Sequence, residues 1–173
     1  GFGEEALQCG AHPPLGAPEA ARLAALGEAP TPLHNNCSGK HAGMLLACRL
    51  LGVSPDDYLA AEHPLQRRIG DLLALAAGVP GPLAFAVDGC SAPTWLLPLA
   101  AGARAYAALA DPEAADLPRD VRGALARVAR AMGAAPRLVA GAGRFTTALI
   151  EATGGRVLGK EGAEGVYGVA VRG

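Results

Sequence analysis

The stretch 34–52 changes character in its middle and marks the start of a helix. Its first eight residues read His-Asn-Asn-Cys-Ser-Gly-Lys-His, and the next eleven read Ala-Gly-Met-Leu-Leu-Ala-Cys-Arg-Leu-Leu-Gly. The apolar residues of the second part recur at helical spacing, and a glycine closes the run. The sequence therefore predicts a polar loop that leads directly into the first turn of a helix.

Three reactive side chains of this segment fall on one side of the predicted helix start. They are Cys37, Lys40 and His41, and a helix that begins near Ser38 places them on one side of its first turn. The free N–H groups and the positive end of the helix dipole lie there too. We expect this environment to favour the Cys37 thiolate and to disfavour the charged forms of Lys40 and His41. That chemistry suits a metal site or an activated nucleophile; the alternative is a plain capping loop, capped by Asn36 or Ser38.

A second candidate segment is Asp88-Gly89-Cys90, which follows the apolar run 83–87 of strand length. A carboxylate and a thiol on a glycine turn beyond a strand are well placed to face a cleft. The alternative is a turn with a buried cysteine, because a free cysteine is often a small core residue. The separation of Cys37 and Cys90 matches no zinc-finger spacing, so spacing alone does not establish a metal site.

A third candidate segment lies between two β-like runs, 156–160 and 166–171, near the end of the chain. It reads Lys160-Glu-Gly-Ala-Glu-Gly165, a lysine that leaves a strand and is followed by glycines. Glycines let a ligand approach the backbone, and the segment resembles the Lys-Thr-Gly element of serine β-lactamase-type enzymes. The two runs predict a hairpin-like strand pair around a glycine turn.

Elsewhere the sequence predicts mainly helices, and the fold class that follows is α+β. Apolar spacing and turn residues place helices at 18–26, from Ser54, at 65–77, 94–109 and 118–132, and from 144 onward.

Composition limits the function classes that the chain can belong to. Of its 173 residues 51% are hydrophobic and 18% charged, which suffices for one domain with a core. A net charge of −1 without a basic stripe argues against a nucleic-acid or anionic-membrane partner. No apolar run approaches the roughly 20 residues that a membrane span needs. Four cysteines do not form a disulfide scaffold, so we expect a cytoplasmic protein, with Cys9 and Cys48 as small core residues.

Taken in order, the three candidate segments resemble one family. It is the bacterial L-asparaginase II family (class 3), whose fold is similar to that of serine β-lactamases and glutaminases. The similarity extends to the segments 7–14, 63–66 and 141–144. The resemblance implies a mainly helical portion of that fold, with a short antiparallel β segment near the C-terminus.

Carried over residue by residue, the resemblance implies a zinc site beside a substrate site. Cys37, Lys40 and Cys90 match the family's zinc ligands, with water completing the tetrahedron. Asp88 matches the residue that holds the α-amino group of the substrate, L-asparagine. His41 matches a residue that lines the same site.

The resemblance also implies a reaction, the hydrolysis of L-asparagine to L-aspartate and ammonia through a serine acyl-enzyme. Lys160 matches a catalytic lysine that pairs with the serine nucleophile. Family members carry a Ser-x-x-Lys motif, and none of the serines here, Ser38, Ser54 and Ser91, has a lysine three positions later. We therefore expect residues 1–173 to be one domain, the central part of such a hydrolase. The N-terminal Ser-x-x-Lys part and the C-terminal strands are then absent, and the chain alone is inactive.

The sequence leaves two alternative functions open, one catalytic and one non-catalytic. Cys37 as a thiolate nucleophile with His41 as its base would give an acyl-transfer enzyme, although this spacing on one helix seldom gives the geometry of such a dyad. A non-catalytic zinc-binding helical module is the second rival. The family resemblance also suggests a homodimer.

Overall fold

Helices dominate the chain, and two small antiparallel sheets accompany them. The computed structural model describes residues 1–173. The helices are α1 Ala17–Leu26, α2 Ser38–Leu51, α3 Pro64–Ala77, α4 Leu99–Ala110, α5 Arg119–Ala134, α6 Pro136–Ala140 and α7 Phe145–Ala152. The strands are β1 Phe85–Val87, β2 Pro93–Trp95, β3 Val157–Glu161 and β4 Tyr167–Val171. β1 pairs with β2, and β3 pairs with β4, so the predicted α+β class is confirmed.

The chain divides into two compact units, each with its own core. The first unit comprises Gly1–Leu72 and Pro82–Leu96, and the second comprises Leu73–Gly81 and Leu97–Gly173. None of the helices has both the length and the apolar character that crossing a bilayer requires.

The core of the first unit is built on one face of α2. Leu45 and Cys48 are buried on that face and pack with Tyr58 and Leu65. Helical spacing brings Leu45 and Cys48 to one side, as the sequence predicts. At its end, Gly52 adopts a left-handed conformation with φ of +67° and donates its N–H to the last turn. A residue with a Cβ is strained there, which explains the glycine.

The β1–β2 hairpin belongs to the first unit and corrects the predicted helix 94–109. Phe85 pairs with Trp95, and their rings meet edge to face with centroids 5.7 Å apart. Helix α4 begins only at Leu99, because the residue before Pro98 is disfavoured in helical conformation. A Cβ on Gly70 of α3 would lie 3.2 Å from the Trp95 ring, so the glycine lets the indole lie against the helix.

The short helix predicted from Ser54 is also wrong. The Ser54 hydroxyl accepts the N–H of Asp56 at 3.1 Å and donates to its carboxylate at 2.8 Å. Asp57 then takes a positive φ of 50°, which a helix does not allow. Local side-chain hydrogen bonds to the backbone therefore hold this segment in turns.

The second unit packs helices against the β3–β4 hairpin, which the sequence predicted. Ala129 of α5, Ile150 of α7, Leu158 of β3 and Ala170 of β4 form its buried core. The register pairs Leu158 with Ala170, so both side chains point to the same face.

Gly133 of α5 and Gly155, in the turn that precedes β3, lie against each other backbone to backbone. A Cβ on Gly155 would lie 3.3 Å from the Cα of Gly133 in α5. Gly155 also has a positive φ of 77°. Both the backbone conformation and the available space therefore require glycine at position 155.

Replacing this glycine tests the packing of the second unit. We expect Gly155→Ala to lower the free energy of unfolding by about 1–2 kcal/mol, because alanine is strained at positive φ and its methyl group meets the α5 backbone. Gly123→Ala, at a roomy position of α5, is the matched control and should raise stability by about 0.5–1 kcal/mol. Urea unfolding measures both, and a Gly155→Ala chain as stable as the wild type would contradict the packing.

Candidate functional site

The loop that precedes α2 is fixed by the buried side chain of Asn35. Its Nδ2 donates to the carbonyl oxygens of Cys9, at 2.8 Å, and Gly10, at 3.1 Å. Its Oδ1 accepts the N–H of Cys37 at 2.8 Å. One side-chain amide therefore forms hydrogen bonds with three backbone groups, and it fixes the position of the Cys37 backbone from which the thiol extends. Sequence reasoning assigned Asn35 no role, although a buried asparagine in such a loop is typically a clamp of this kind.

Cys37 itself occupies the N-cap position of α2. Its side chain makes no capping hydrogen bond, so the sulfur is available to other partners. The capping alternative, with Asn36 or Ser38 as the cap, is therefore not how this helix begins. Lys40 follows in the first turn, as the spacing predicted.

The β1–β2 turn brings a carboxylate and a second thiol to the same place. Asp88 donates its N–H to the carbonyl of Ala92 at 2.9 Å, and its own carbonyl accepts the N–H of Ser91 at 2.9 Å. Ser91 has a positive φ of 66°, which closes the turn tightly. Asp88 and Cys90 follow a strand, as the sequence predicted, and Cys90 is 4% exposed.

These two segments converge on a cluster of potential metal ligands, which we call the thiol–carboxylate cluster. A sulfur of Cys37, a sulfur of Cys90 and a carboxylate oxygen of Asp88 all lie within 4.8 Å of one another. The Nζ of Lys40 lies 3.4 Å from Oδ2 of Asp88. The structure therefore brings together four of the six side chains that the sequence singled out.

The charge of Lys40 corrects one expectation. Burial is the largest single effect on its pKa and lowers it, but the acidic neighbours Cys90, Cys37 and Asp88 together outweigh burial and raise the pKa above its ordinary value. The sequence predicts that the helix terminus disfavours the ammonium form. The expectation was wrong because two thiols and a carboxylate face the lysine directly, and the sequence does not show that proximity.

The thiol of Cys37 corrects a second expectation. Burial raises its pKa above the ordinary value, the positive charge of Lys40 opposes that rise, and Cys90 and Asp88 add to it. The helix terminus was expected to favour the thiolate. Desolvation and the neighbouring acidic groups outweigh it.

Asp88 is the anionic member of the cluster. Burial alone would raise the pKa of its carboxyl group, but the N–H of Gly89 and the Lys40 ammonium stabilise the carboxylate and lower the pKa below its usual range. The Gly89 N–H donates to Oδ1 at 2.7 Å. The carboxylate is therefore charged at neutral pH and held in a fixed orientation.

His41 is fully buried, with 0% exposure, and its Nδ1 lies 2.6 Å from the Tyr58 hydroxyl. Burial, with a smaller contribution from the Lys40 charge, lowers its pKa below the ordinary value, which agrees with the sequence expectation. Nε2 has no hydrogen-bond partner. His41 therefore forms no hydrogen bond to Cys37, and the geometry of a cysteine–histidine dyad is not present.

Lys160 lies in the second unit, on β3, and its Nζ donates to the carbonyl of Glu161 at 2.6 Å. The neighbouring Glu161 accepts hydrogen bonds from Arg144, at 2.7 Å, and from the buried Thr146. The hydroxyl of Tyr167 lies 2.9 Å from that of Thr146. These bonds fix the end of β3 from which Lys160 projects.

The network around Glu161 makes stability depend on pH. Hydrogen bonds from Thr146 and then Arg144 lower its pKa below the ordinary value of 4.5. A lowered folded-state pKa adds stability that is complete above the unfolded-state pKa and is lost as pH falls through the folded-state pKa. The difference in unfolding free energy between wild type and Glu161→Gln should therefore be constant near neutral pH and shrink in acid. A difference that stays constant down to about pH 3 in urea unfolding would contradict the network.

The fold and the cluster together define an α+β protein with a candidate thiol–carboxylate metal site. The model of the L-asparaginase II family matches residues 1–173. The chain belongs to the L-asparaginase II family, which confirms the resemblance that its motifs showed. A comparison with the curated proteins finds no match. Family membership suggests an amidohydrolase with asparagine as its substrate.

Proposed function

We propose that this chain forms the metal and substrate site of an amidohydrolase that converts L-asparagine to L-aspartate and ammonia. The observation that carries the proposal is the thiol–carboxylate cluster beside Lys40 in a chain of the L-asparaginase II family. Two segments far apart in sequence supply the cluster. The Asn35 side chain holds the segment of Cys37, and backbone hydrogen bonds hold the turn of Asp88 and Cys90.

The donor set of the cluster fits zinc. Zinc accepts thiolate sulfur, nitrogen and carboxylate oxygen in a tetrahedron, with Zn–S distances of about 2.3 Å. Two ligands of one tetrahedral zinc ion are then about 3.8 Å apart. The sulfurs of Cys37 and Cys90 and a carboxylate oxygen of Asp88 lie within 4.8 Å of one another, so the two thiols need only small movements. We propose Cys37, Lys40 and Cys90 as the ligands. A bound zinc ion would supply a fixed positive charge that helps to orient the substrate.

Ligation by Lys40 requires its neutral amine. Cation binding selects deprotonated thiols and amines, so the positive charge of the ion replaces the proton that the acidic neighbours of Lys40 now stabilise. The carboxylate of Asp88, at 3.4 Å from Nζ, is placed to accept a hydrogen bond from the bound amine.

Asp88 and His41 are the proposed substrate contacts. The carboxylate of Asp88 is charged and oriented, and it suits the α-ammonium group of L-asparagine through a charge-assisted hydrogen bond. His41 offers its unpartnered Nε2 to an oxygen of the substrate.

The proposed reaction passes through a serine acyl-enzyme. A serine hydroxyl attacks the side-chain amide carbon, its proton passes to the leaving nitrogen, and ammonia departs. Water then hydrolyses the ester and releases L-aspartate. Lys160 is the proposed partner of that serine. Ser38, Ser54 and Ser91 are the three serines of residues 1–173, and none of them has a lysine three positions later. We therefore propose that the nucleophile is a serine outside these residues.

A cytoplasmic homodimer is part of the same proposal. All four cysteines are free, which is typical of proteins in reducing compartments. The homodimer rests on the family resemblance, and sedimentation equilibrium of the chain would test it.

Thiol labelling tests the zinc site without any activity measurement. Zinc-loaded chain should show alkylation of Cys37 and Cys90 slowed together by at least about tenfold, because ligated thiolates are shielded, and a chelator should restore the rate. Cys90→Ser should leave Cys37 reactive in the presence of zinc. Cys48→Ala, a buried cysteine on the same helix, is the control that keeps the shielding. Equal labelling of Cys37 with and without zinc would contradict the site.

Ligand preference tests the role of Asp88. The zinc-loaded chain should bind L-asparagine at least about tenfold more tightly than succinamate, which lacks the α-amino group, because one charge-assisted bond is lost. Asp88→Asn should remove that preference, whereas Asp71→Asn, in the first unit, should keep it. Calorimetry measures both ligands, and an Asp88→Asn chain with an unchanged preference would overturn the assignment.

A further inference from the structure

Tyr58 is held at both ends inside the first unit. Its hydroxyl oxygen accepts a hydrogen bond from the backbone N–H of Gln8 at 3.1 Å. Its backbone carbonyl accepts a hydrogen bond from Nε2 of Gln66 at 2.8 Å. Tyr58 is 0% exposed and Gln66 is 1% exposed. The phenol oxygen is therefore fixed in space, 2.6 Å from Nδ1 of His41.

The direction of the bond between Tyr58 and His41 follows from the other partner of the hydroxyl. A backbone N–H is always a donor, so the Tyr58 oxygen is the acceptor from Gln8. The single hydroxyl proton is then free to be donated to Nδ1. If Nδ1 carried the proton instead, the phenol hydrogen would be buried without an acceptor and Nε2 would be buried without a donor. Buried polar groups without partners are costly, which favours donation by Tyr58.

The surroundings of His41 determine how many protons its ring carries and on which nitrogen. The ring is fully buried, and neither nitrogen is hydrogen-bonded to a carboxylate. A buried imidazolium without such a partner is strongly disfavoured, so the ring is neutral and carries one proton. With Nδ1 as the acceptor, that proton lies on Nε2, which no group of this chain accepts.

We infer that Tyr58 is a positioning residue that fixes His41 as its Nε2–H tautomer and so presents one buried N–H donor to an acceptor oxygen of the substrate. The tautomer follows from hydrogen bonds within this chain. The donation to substrate rests on the proposed function, in which the acceptor is a carboxylate or amide oxygen of L-asparagine. Because Tyr58 fixes the ring, the N–H donor is already oriented when an acceptor oxygen reaches it.

Nitrogen NMR of the chain labelled with ¹⁵N-histidine tests the tautomer directly. His41→Gln identifies the His41 signals among those of the four histidines. Wild type should show the proton on Nε2 and a hydrogen-bonded, unprotonated Nδ1. Tyr58→Phe should move the Nδ1 resonance downfield, because that nitrogen loses its donor. Tyr106→Phe, a tyrosine of the second unit that makes no hydrogen bond, is the control and should leave the His41 signals in place.

Two results would overturn the inference: a wild-type His41 with its proton on Nδ1, or a Tyr58→Phe chain with an unchanged Nδ1 resonance. If Tyr58→Phe does not fold, the wild-type spectrum alone decides the tautomer.

Addition of L-asparagine separates this inference from the proposed function. Binding seen by calorimetry together with a shift of the His41 Nε2–H signal supports the donor role. Binding without that shift overturns the donor role and leaves the proposed function intact. Absence of binding overturns the proposed function and the donor role with it, whereas the tautomer is decided by the spectra of the free protein.

Discussion

Three hydrogen bonds of one buried amide, that of Asn35, hold the candidate site in place. They tie the carbonyl groups of residues 9 and 10 to the N–H of Cys37, so the loop before α2 cannot shift without breaking several bonds at once. Because unsatisfied buried groups are costly, the amide defines a single arrangement of the backbone at this point. The position of the Cys37 sulfur, and through it the thiol–carboxylate cluster, depends on this clamp.

The thiol–carboxylate cluster and Lys40 combine groups that differ in charge: a neutral thiol, a carboxylate and an ammonium group. Burial raises the pKa of the Cys37 thiol, while the Asp88 carboxylate stays charged because Gly89 and Lys40 donate to it. The Lys40 ammonium faces the thiols and the carboxylate and is stabilised by them. The proposed binding of a cation by these side chains would therefore be coupled to proton release.

Much of the site was predictable, because its signals are local in sequence. The spacing from Cys37 to Lys40 and the strand that precedes Asp88 place these residues correctly, and the start and end of α2 follow from polar, apolar and glycine residues. The L-asparaginase II family was also recognisable from short motifs, and the family match extends over residues 1–173.

The missed features depend on contacts between distant segments or on specific backbone geometry. Tyr58 lies 17 residues after His41 and outside α2, so no local pattern indicates Tyr58 as a partner of His41. The pKa directions of Cys37 and Lys40 were wrong because burial and neighbouring groups are properties of the fold. The helix predicted across Leu97-Pro98 was wrong for a local reason, the restriction that proline imposes on the residue before it.

The proposed ligation of one metal ion by both Cys37 and Cys90 is tested most directly by X-ray absorption at the zinc edge of the zinc-loaded chain. We predict two sulfur ligands at about 2.3 Å with nitrogen or oxygen completing the shell, and one sulfur in Cys90→Ser. A shell without sulfur, or one unchanged in Cys90→Ser, would contradict the account.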